Sequence, residues 1–234
     1  MTKFIVLTLF TNMFDNFVST SIIKRAIENK IVSIEIVDIR DFTTDKHNKV
    51  DFPPCGGGSG MVLSCEPLAR AIDYSLEKIK VTKSESSTKI IYLSPRGKLL
   101  NYKLSKSLID ENKNCILICG HYEGIDERII EEYNIEEISI GDYVLTGGEL
   151  ASQVLMDSMI RLLPNVLSEG SLNEESHTNG LLEYPQYTKP TIFRNRIVPK
   201  ILLSGNHQEI SKYRNEERIR ITKKYRPDLL KNNL

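Results

Sequence analysis

Apolar positions recur with two different periods along the first two thirds of the chain, and the two patterns take turns. Lys3 to Phe10 is a near-continuous run of β-formers and predicts a first strand. Asn12 to Asn29 sets Phe14, Phe17, Ile22, Ile23 and Ile27 at helical spacing and predicts one helix. Val32 to Ile39 alternates apolar with polar residues, as a strand does. Arg40 to Gly60 has no period and ends in Pro-Pro-Cys-Gly-Gly-Gly-Ser-Gly, so it predicts a long loop, which is usually functional or disordered. A helix over Glu66–Ile79, a strand over Lys89–Leu93, a short helix over Leu104–Asp110 and a buried strand over Cys115–Cys119 follow. Asp126–Tyr133 reads as a helical turn and Glu137–Ile140 as a strand. Gly148–Leu163 is a strongly apolar helix, expected to pack on two sides.

Strands alternating with helices up to about residue 163 predict an α/β fold with a mainly parallel sheet and helices on both faces. The pattern fades after Pro164. Val166–Gly180 is polar, carries Glu169, Glu174 and Glu175 among Ser and Asn, and reads as a linker. Leu181–Ile201 is irregular. Gln208–Leu230 is helical and basic, with Lys212, Arg214, Arg218, Arg220, Lys223, Lys224 and Arg226. The expected organisation is a first domain over 1–164, a linker over 165–180 and a small, mostly helical C-terminal domain over 181–234.

Three glycine-bearing stretches each follow a short apolar run: Tyr92–Gly97, Cys119–Arg128 and Ile138–Leu150. Parallel sheets take ligands at the carboxyl ends of their strands, so three such turns can converge on one small molecule. None matches the dinucleotide fingerprint after the first strand or the phosphate-loop pattern. Gly56–Gly58 and Gly60 could wrap a phosphate, but the residues alone favour a plain loop.

Composition narrows the picture. Lys plus Arg and Asp plus Glu number 31 each, so an RNA partner would be held by a local patch rather than by overall charge, and no DNA partner is expected. Apolar content of 40% and charged content of 26% are ordinary for a soluble domain. No apolar run approaches membrane-spanning length, and Met1–Phe10 reads as a strand rather than a signal peptide. Cys55, Cys65, Cys115 and Cys119 form no Cys-x-x-Cys pair and read as free, mostly buried thiols of a cytoplasmic protein. The four histidines do not cluster with them, so no metal site is expected from spacing.

Seven strings carry a resemblance to a known family: Arg40–His47 (RDFTTDKH), Gly56–Met61 (GGGSGM), Tyr92–Pro95 (YLSP), Cys119–Arg128 (CGHYEGIDER), Ser139–Glu149 (SIGDYVLTGGE), Gly180–Pro190 (GLLEYPQYTKP) and Val198–His207. In order and extent the chain resembles the bacterial tRNA (guanine-N1)-methyltransferases of the TrmD family, SPOUT class. The resemblance implies methyl transfer from S-adenosylmethionine to N1 of guanine 37 in tRNA, beside the anticodon. It also implies a C-terminal trefoil knot in the sheet domain, and a homodimer in which each cofactor pocket is completed by the linker and C-terminal domain of the other subunit. Leu93, Ser94, Pro95, Gly120, Tyr122, Gly124, Ser139, Ile140, Gly141, Tyr143, Leu145, Gly147 and Gly148 then fall to the cofactor, with glycines letting the backbone approach it closely. Glu123 is a candidate for the methionine ammonium or for a magnesium ion, whose involvement is implied by the resemblance alone.

The catalytic pair implied is Glu175 as general base and Arg161 as the cation for charge developing toward guanine O6. The family more often has aspartate at the first position, and Glu174 is an adjacent competitor. Without the resemblance, both acids read as solvated linker carboxylates, and Arg161 reads equally as a catalytic cation and as a cation at a helix C-terminus. Asp126, Glu127 and Arg128 read as helix-start charges with an internal ion pair. Phe52 and Cys55 depart from the family, which has an acid and a tyrosine there. RNA contacts are expected from the basic tail and from Lys46, His47, Lys49, Lys189, Arg194 and Arg196. Tyr184, Tyr187 and Phe193 are candidate stacking platforms, although such residues are more often core. A SPOUT enzyme acting on another RNA, and an RNA-binding module that has lost the reaction, are the competing readings.

Overall fold

The computed structural model describes residues 1–81, 87–111, 114–168 and 170–231, so Glu169 lies outside the described residues. It divides into two compact units, Met1–Leu167 and Ser168–Leu234.

The first unit is built on a five-stranded, wholly parallel sheet of β1 (Thr2–Thr8), β2 (Val32–Asp38), β5 (Thr88–Leu99), β6 (Asn114–Ile118) and β7 (Glu136–Ser139). The spatial order is β2-β1-β6-β5-β7. Around the sheet run α1 (Asp15–Ser19), α2 (Ser21–Glu28), α3 (Cys65–Val81), α4 (Tyr102–Glu111), α5 (Glu127–Glu132) and α6 (Glu149–Ile160). A side chain period of two sends alternate residues of each strand to opposite faces. Phe4, Val6, Ile91, Leu93, Cys115 and Leu117 join one core with residues of α2, α4 and α6. Ile5, Leu7, Ile90, Tyr92, Ile116 and Ile118 join a second core with residues of α3 and α5. Both cores are filled, which is why β1 and β6 read as unbroken apolar runs rather than alternating ones.

Two expectations change. The single helix over Asn12–Asn29 is a 3₁₀ turn (Thr11–Phe14) followed by α1 and α2, because Thr20 is extended at φ −124° and ψ 151°. The hydroxyls of Ser19 and Thr20 bond back to the carbonyls of Asp15 and Asn16, an alternative to continuing the helix. The long loop holds a 3₁₀ turn (Ile39–Phe42) and a short strand, β3 (Asp51–Phe52), which pairs antiparallel with β4 (Val62–Leu63). Helix α6 buries one side in the first core, while Leu150 and Val154, one turn apart on its other side, are 52% and 48% exposed in the single chain.

Asp126 caps α5 by accepting from the Arg128 N–H at 3.0 Å, and the Arg128 guanidinium also holds it through Nε at 2.9 Å and Nη2 at 2.8 Å. That guanidinium keeps the Asp126 carboxyl far below the usual carboxylate range. A depressed carboxyl stabilises the fold fully above its unfolded value of about 3.9, and loses that contribution as pH falls below it. Arg128 is 79% exposed, so solvent screens the pair and its contribution to stability is small. Asp126→Asn should therefore lower Tm slightly at neutral pH. It should also flatten the fall in Tm below about pH 4, as read by thermal melts across the acid range.

The second unit contains a hairpin of β8 (Ile192–Phe193) and β9 (Arg196–Ile197), a 3₁₀ turn (Lys200–Leu203), α7 (His207–Tyr225) and α8 (Asp228–Lys231). Arg194 and Asn195 turn the hairpin with φ of 47° and 66°, the conformation that two-residue hairpin loops require. Asn206 caps α7 by accepting from Glu209 N–H at 3.3 Å. Pro227 stops the basic tail from running on as one helix.

Candidate active site

The three glycine turns emerge from the carboxyl ends of β5, β6 and β7, which are neighbours in the sheet. The first is an excursion within β5: Leu93 and Lys98 both stand opposite Ile138, so Ser94–Gly97 leave the ladder and return to it. A Cβ on Gly97 would strike the backbone of Glu137 and Ile138, so only glycine lets the excursion rejoin the sheet there. Arg96 ties it down from outside. Its Nε donates to both carboxylate oxygens of Glu137, at 3.0 and 2.8 Å, and its Nη2 to Glu127 at 2.6 Å.

The second turn follows β6. Gly124 N–H donates to His121 O at 3.0 Å, and Tyr122 takes φ of 59°. Strand β4 holds this turn from one side through Glu123 N–H to Met61 O and Leu63 N–H to Gly124 O, both 3.0 Å. The third turn follows β7, where Ser139 Oγ bonds both the carbonyl and the N–H of Gly141. The chain then returns beneath the second turn, with Gly148 N–H donating to Gly120 O at 2.9 Å. Here α6 begins. Buried Glu149, in its first turn, accepts from Thr8 Oγ1 at 2.7 Å and so fastens the helix start to the end of β1. A carboxylate at that end also complements the helix dipole.

Together the turns enclose a cavity of about 250 Å³. Every position that the resemblance assigned to the cofactor, Glu123 included, lines it. Tyr92, His121, Ile138, Val144, Thr146 and Ala151 line it as well and were not singled out from the sequence. Tyr92 had a signal, because it opens the Tyr92–Pro95 string. Burial raises its phenol above the ordinary value, and a Cβ on Gly120 would lie 2.6 Å from its ring. His121 packs against Phe10 with the ring centroids 4.9 Å apart and the planes tilted by 52°, and its buried Nδ1 has no hydrogen-bond partner among the described residues. Ile138 and Ala151 are ordinary core types, so nothing in the chain marks them.

Arg161 is the C-cap of α6 in the first unit and is half-buried. Glu175 lies in the second unit, in a run of turns over 170–180 where Thr178 N–H donates to its carbonyl at 3.3 Å. Glu175 is half-buried, whereas Glu174 is exposed and accepts from the Tyr184 hydroxyl at 3.0 Å. Among the described residues no three His, Cys, Asp or Glu side chains gather where they could hold a metal ion.

Of the four free thiols, Cys115 and Cys119 are buried, Cys65 is half-buried and Cys55 is exposed. Burial pushes the Cys115 thiol up to about 12. Phe52 is 54% exposed and carries Lys49 Nζ over its ring at 4.6 Å. Lys46, His47, Lys49, Lys189, Arg194 and Arg196 are all exposed. The basic tail is less available than its composition suggests. Arg218 is buried, and Arg220 and Arg226 pair with Glu217 and Asp228. Tyr187 and Phe193, more often core by type, are 47% and 60% exposed, and Arg194 lies over Phe193 at 5.3 Å.

The family model described as tRNA (Guanine-1)-methyltransferase TrmD matches residues 2–232. A tRNA (guanine-N(1)-)-methyltransferase of Ruminiclostridium cellulolyticum is 52% identical over 97% of this chain and 95% of its own. One from Malacoplasma penetrans is 52% identical over 97% and 96%, and one from Mycoplasma capricolum 50% identical over 97% and 91%. With the match running through all three turns and on through the second unit, the chain belongs to the tRNA (guanine-1)-methyltransferase family.

Proposed function

We propose that the protein transfers a methyl group from S-adenosylmethionine to N1 of guanine 37 in tRNA. The observation that carries this reading is the cavity at the ends of β6, β5 and β7, lined by every residue that the family pattern assigns to the methyl donor. The residues fit such a group. A Cβ on Gly120 would strike the Tyr92 ring and one on Gly148 the backbone of Cys119 and Gly120, so both glycines let the turns that wall the cavity pack closely. Leu93, Ile140, Tyr143 and Leu145, which line the cavity, would supply apolar surface for the faces of a purine, and main-chain groups of the three turns would read its edge. Glu123 offers a carboxylate to an ammonium group.

When bound, S-adenosylmethionine supplies an electrophilic methyl on a sulfonium. The remaining work falls to this chain's residues. Guanine N1 carries a proton and is a poor nucleophile until a base removes it; Glu175 takes that role, with Glu174 the competitor. Negative charge then spreads toward O6, where Arg161 neutralises it. A magnesium ion, implied by the family resemblance alone, would meet the Glu123 carboxylate in this cavity.

The return of the chain after β7, which sets Gly148 against Gly120 and Gly147 against His121, supports a trefoil knot. Residues 1–164 serve as the methyl-donor domain and 181–234 as the tRNA-binding domain, joined by the 165–180 linker. A homodimer accounts for the outward apolar face of α6. Leu150 and Val154 lie exposed there, and Gln153 Nε2 bonds Met13 O, placing a further exposed apolar side chain nearby. The cytoplasm, where tRNA is modified, is the proposed location; no described helix is long and apolar enough to cross a membrane.

Equilibrium binding of labelled S-adenosylmethionine, followed by transfer to bulk tRNA and mapping of the modified base, tests the reading. Methyl at N1 of guanine 37 is the expected result. Methyl at another base would point to a different RNA, and donor binding without transfer to a module that has lost the reaction.

A further inference from the structure

We infer that the second unit carries its own receptor for one unstacked nucleotide of the RNA substrate, distinct from the methyl-donor cavity. The inference rests on RNA being the substrate, and it adds where a second nucleotide is held. A cavity of about 500 Å³ opens between the 184–191 segment, the 3₁₀ turn and the start of α7. Its floor is apolar, with half-buried Val198, Leu202 and Ile210. One wall is the ring of Tyr184, and the Arg214 guanidinium lies over that ring at 4.7 Å. Arg214 Nε is buried and has no hydrogen-bond partner among the described residues. The mouth is formed by Tyr187, Lys189 and His207, all exposed. No carboxylate lines the cavity, whereas two cations do.

An apolar floor, an aromatic ring at the mouth and unopposed positive charge suit a base that stacks and a phosphate that needs neutralising. Tyr187 stacks the base, and Lys189 meets the phosphate. The wall has a second contact. Tyr184 Oη donates to Glu174 at 3.0 Å, beside Glu175. A nucleotide seated against Tyr184 and Arg214 therefore also steadies the turn that carries the proposed base, which makes Tyr184 a positioning residue.

The test uses the full chain and an unmodified tRNA transcript with guanosine at 37. Tyr187→Ala and Lys189→Ala should each raise the Kd for the transcript about tenfold. Lys189→Ala should also lower the slope of log Kd against log salt by about 0.7–0.9. Affinity for S-adenosylmethionine should not move. Both side chains are exposed, so the variants keep the fold. Tyr184→Phe keeps the ring but not the bond to Glu174, and should lower kcat by a larger factor than it raises KM. Ultraviolet cross-linking of a thiouridine-substituted transcript should map to residues 184–191 of the unmodified protein. The inference is overturned if wild type binds and methylates the transcript while neither Ala variant changes Kd. It is also overturned if adenosine monophosphate occupies the cavity and the transcript never cross-links there. A wild-type protein that transfers no methyl group would instead sink the parent reading.

Discussion

Replacing Glu175 with glutamine should lower methyl transfer by about 10²–10⁴-fold, the range expected when a general base is removed, and leave S-adenosylmethionine binding unchanged. Glutamine matches the size and shape of glutamate and keeps an acceptor oxygen in its side chain, and the Thr178 N–H bond to the carbonyl of residue 175 is unaffected. The fold should therefore survive, and a rate loss would report on proton removal. The acid limb of the pH–rate profile, where a base is lost by protonation, should vanish with it. Glu174→Gln should cost less than about tenfold, because its carboxylate is already engaged by Tyr184 Oη and its replacement still accepts that bond. Single-turnover kinetics with saturating donor separates the two. A Glu175→Gln protein that transfers within about twofold of wild type removes Glu175 from the mechanism; a large loss in Glu174→Gln alone would move the role to its neighbour.

The second large effect should come from Gly148→Ala. The new Cβ would lie 2.8 Å from Cys119 Cα and 2.9 Å from Gly120 N, and neither backbone atom can swing aside. The start of α6 must back away from the end of β6. That breaks the 2.9 Å bond from Gly148 N–H to Gly120 O and strains the buried Thr8–Glu149 contact. Overpacking of this kind costs about 1–3 kcal/mol, which lowers Tm by about 2–12 °C in a chain of this size. The cavity lies on the same turn, so donor affinity should fall at least about tenfold, a larger loss than the melt alone would suggest. Calorimetric titration with S-adenosylmethionine beside a thermal melt checks both. An unchanged affinity would mean that the ligand does not lie against this turn.

Much of the first unit is legible in its residues because the chemistry there is redundant. Phe4–Leu7 and Cys115–Ile118 are buried on both faces and so announce strands by β-formers alone. The three turns announce themselves by glycines that the backbone needs. What escapes is structure held by few residues. β3 and β4 have two residues each, too few for any period, and are joined across a loop by pairing that only the fold supplies. The resumption of β5 at Lys98–Leu99 is just as short. The helix break at Thr20 is a contest between a hydroxyl and an amide for the same carbonyls, which propensity does not decide. In the second unit, composition counts seven basic residues in the tail but cannot tell Arg218, buried, from Lys212, exposed. Nor does residue type reveal that Tyr187 and Phe193 face outward.

Ser94–Gly97 are hung from the sheet rather than woven into it, since the residues on either side face the same partner, Ile138. Scaffold and ligand wall are therefore separate pieces of chain. Ser94 and Pro95, the two of the four that line the cavity, can be recut without any strand slipping out of phase so long as Gly97 stays, so selectivity for the donor can drift while the architecture that carries it stays put. An inhibitor built to grip that wall would accordingly meet resistance first at Pro95, the exposed one of the two, where replacement disturbs the fold least.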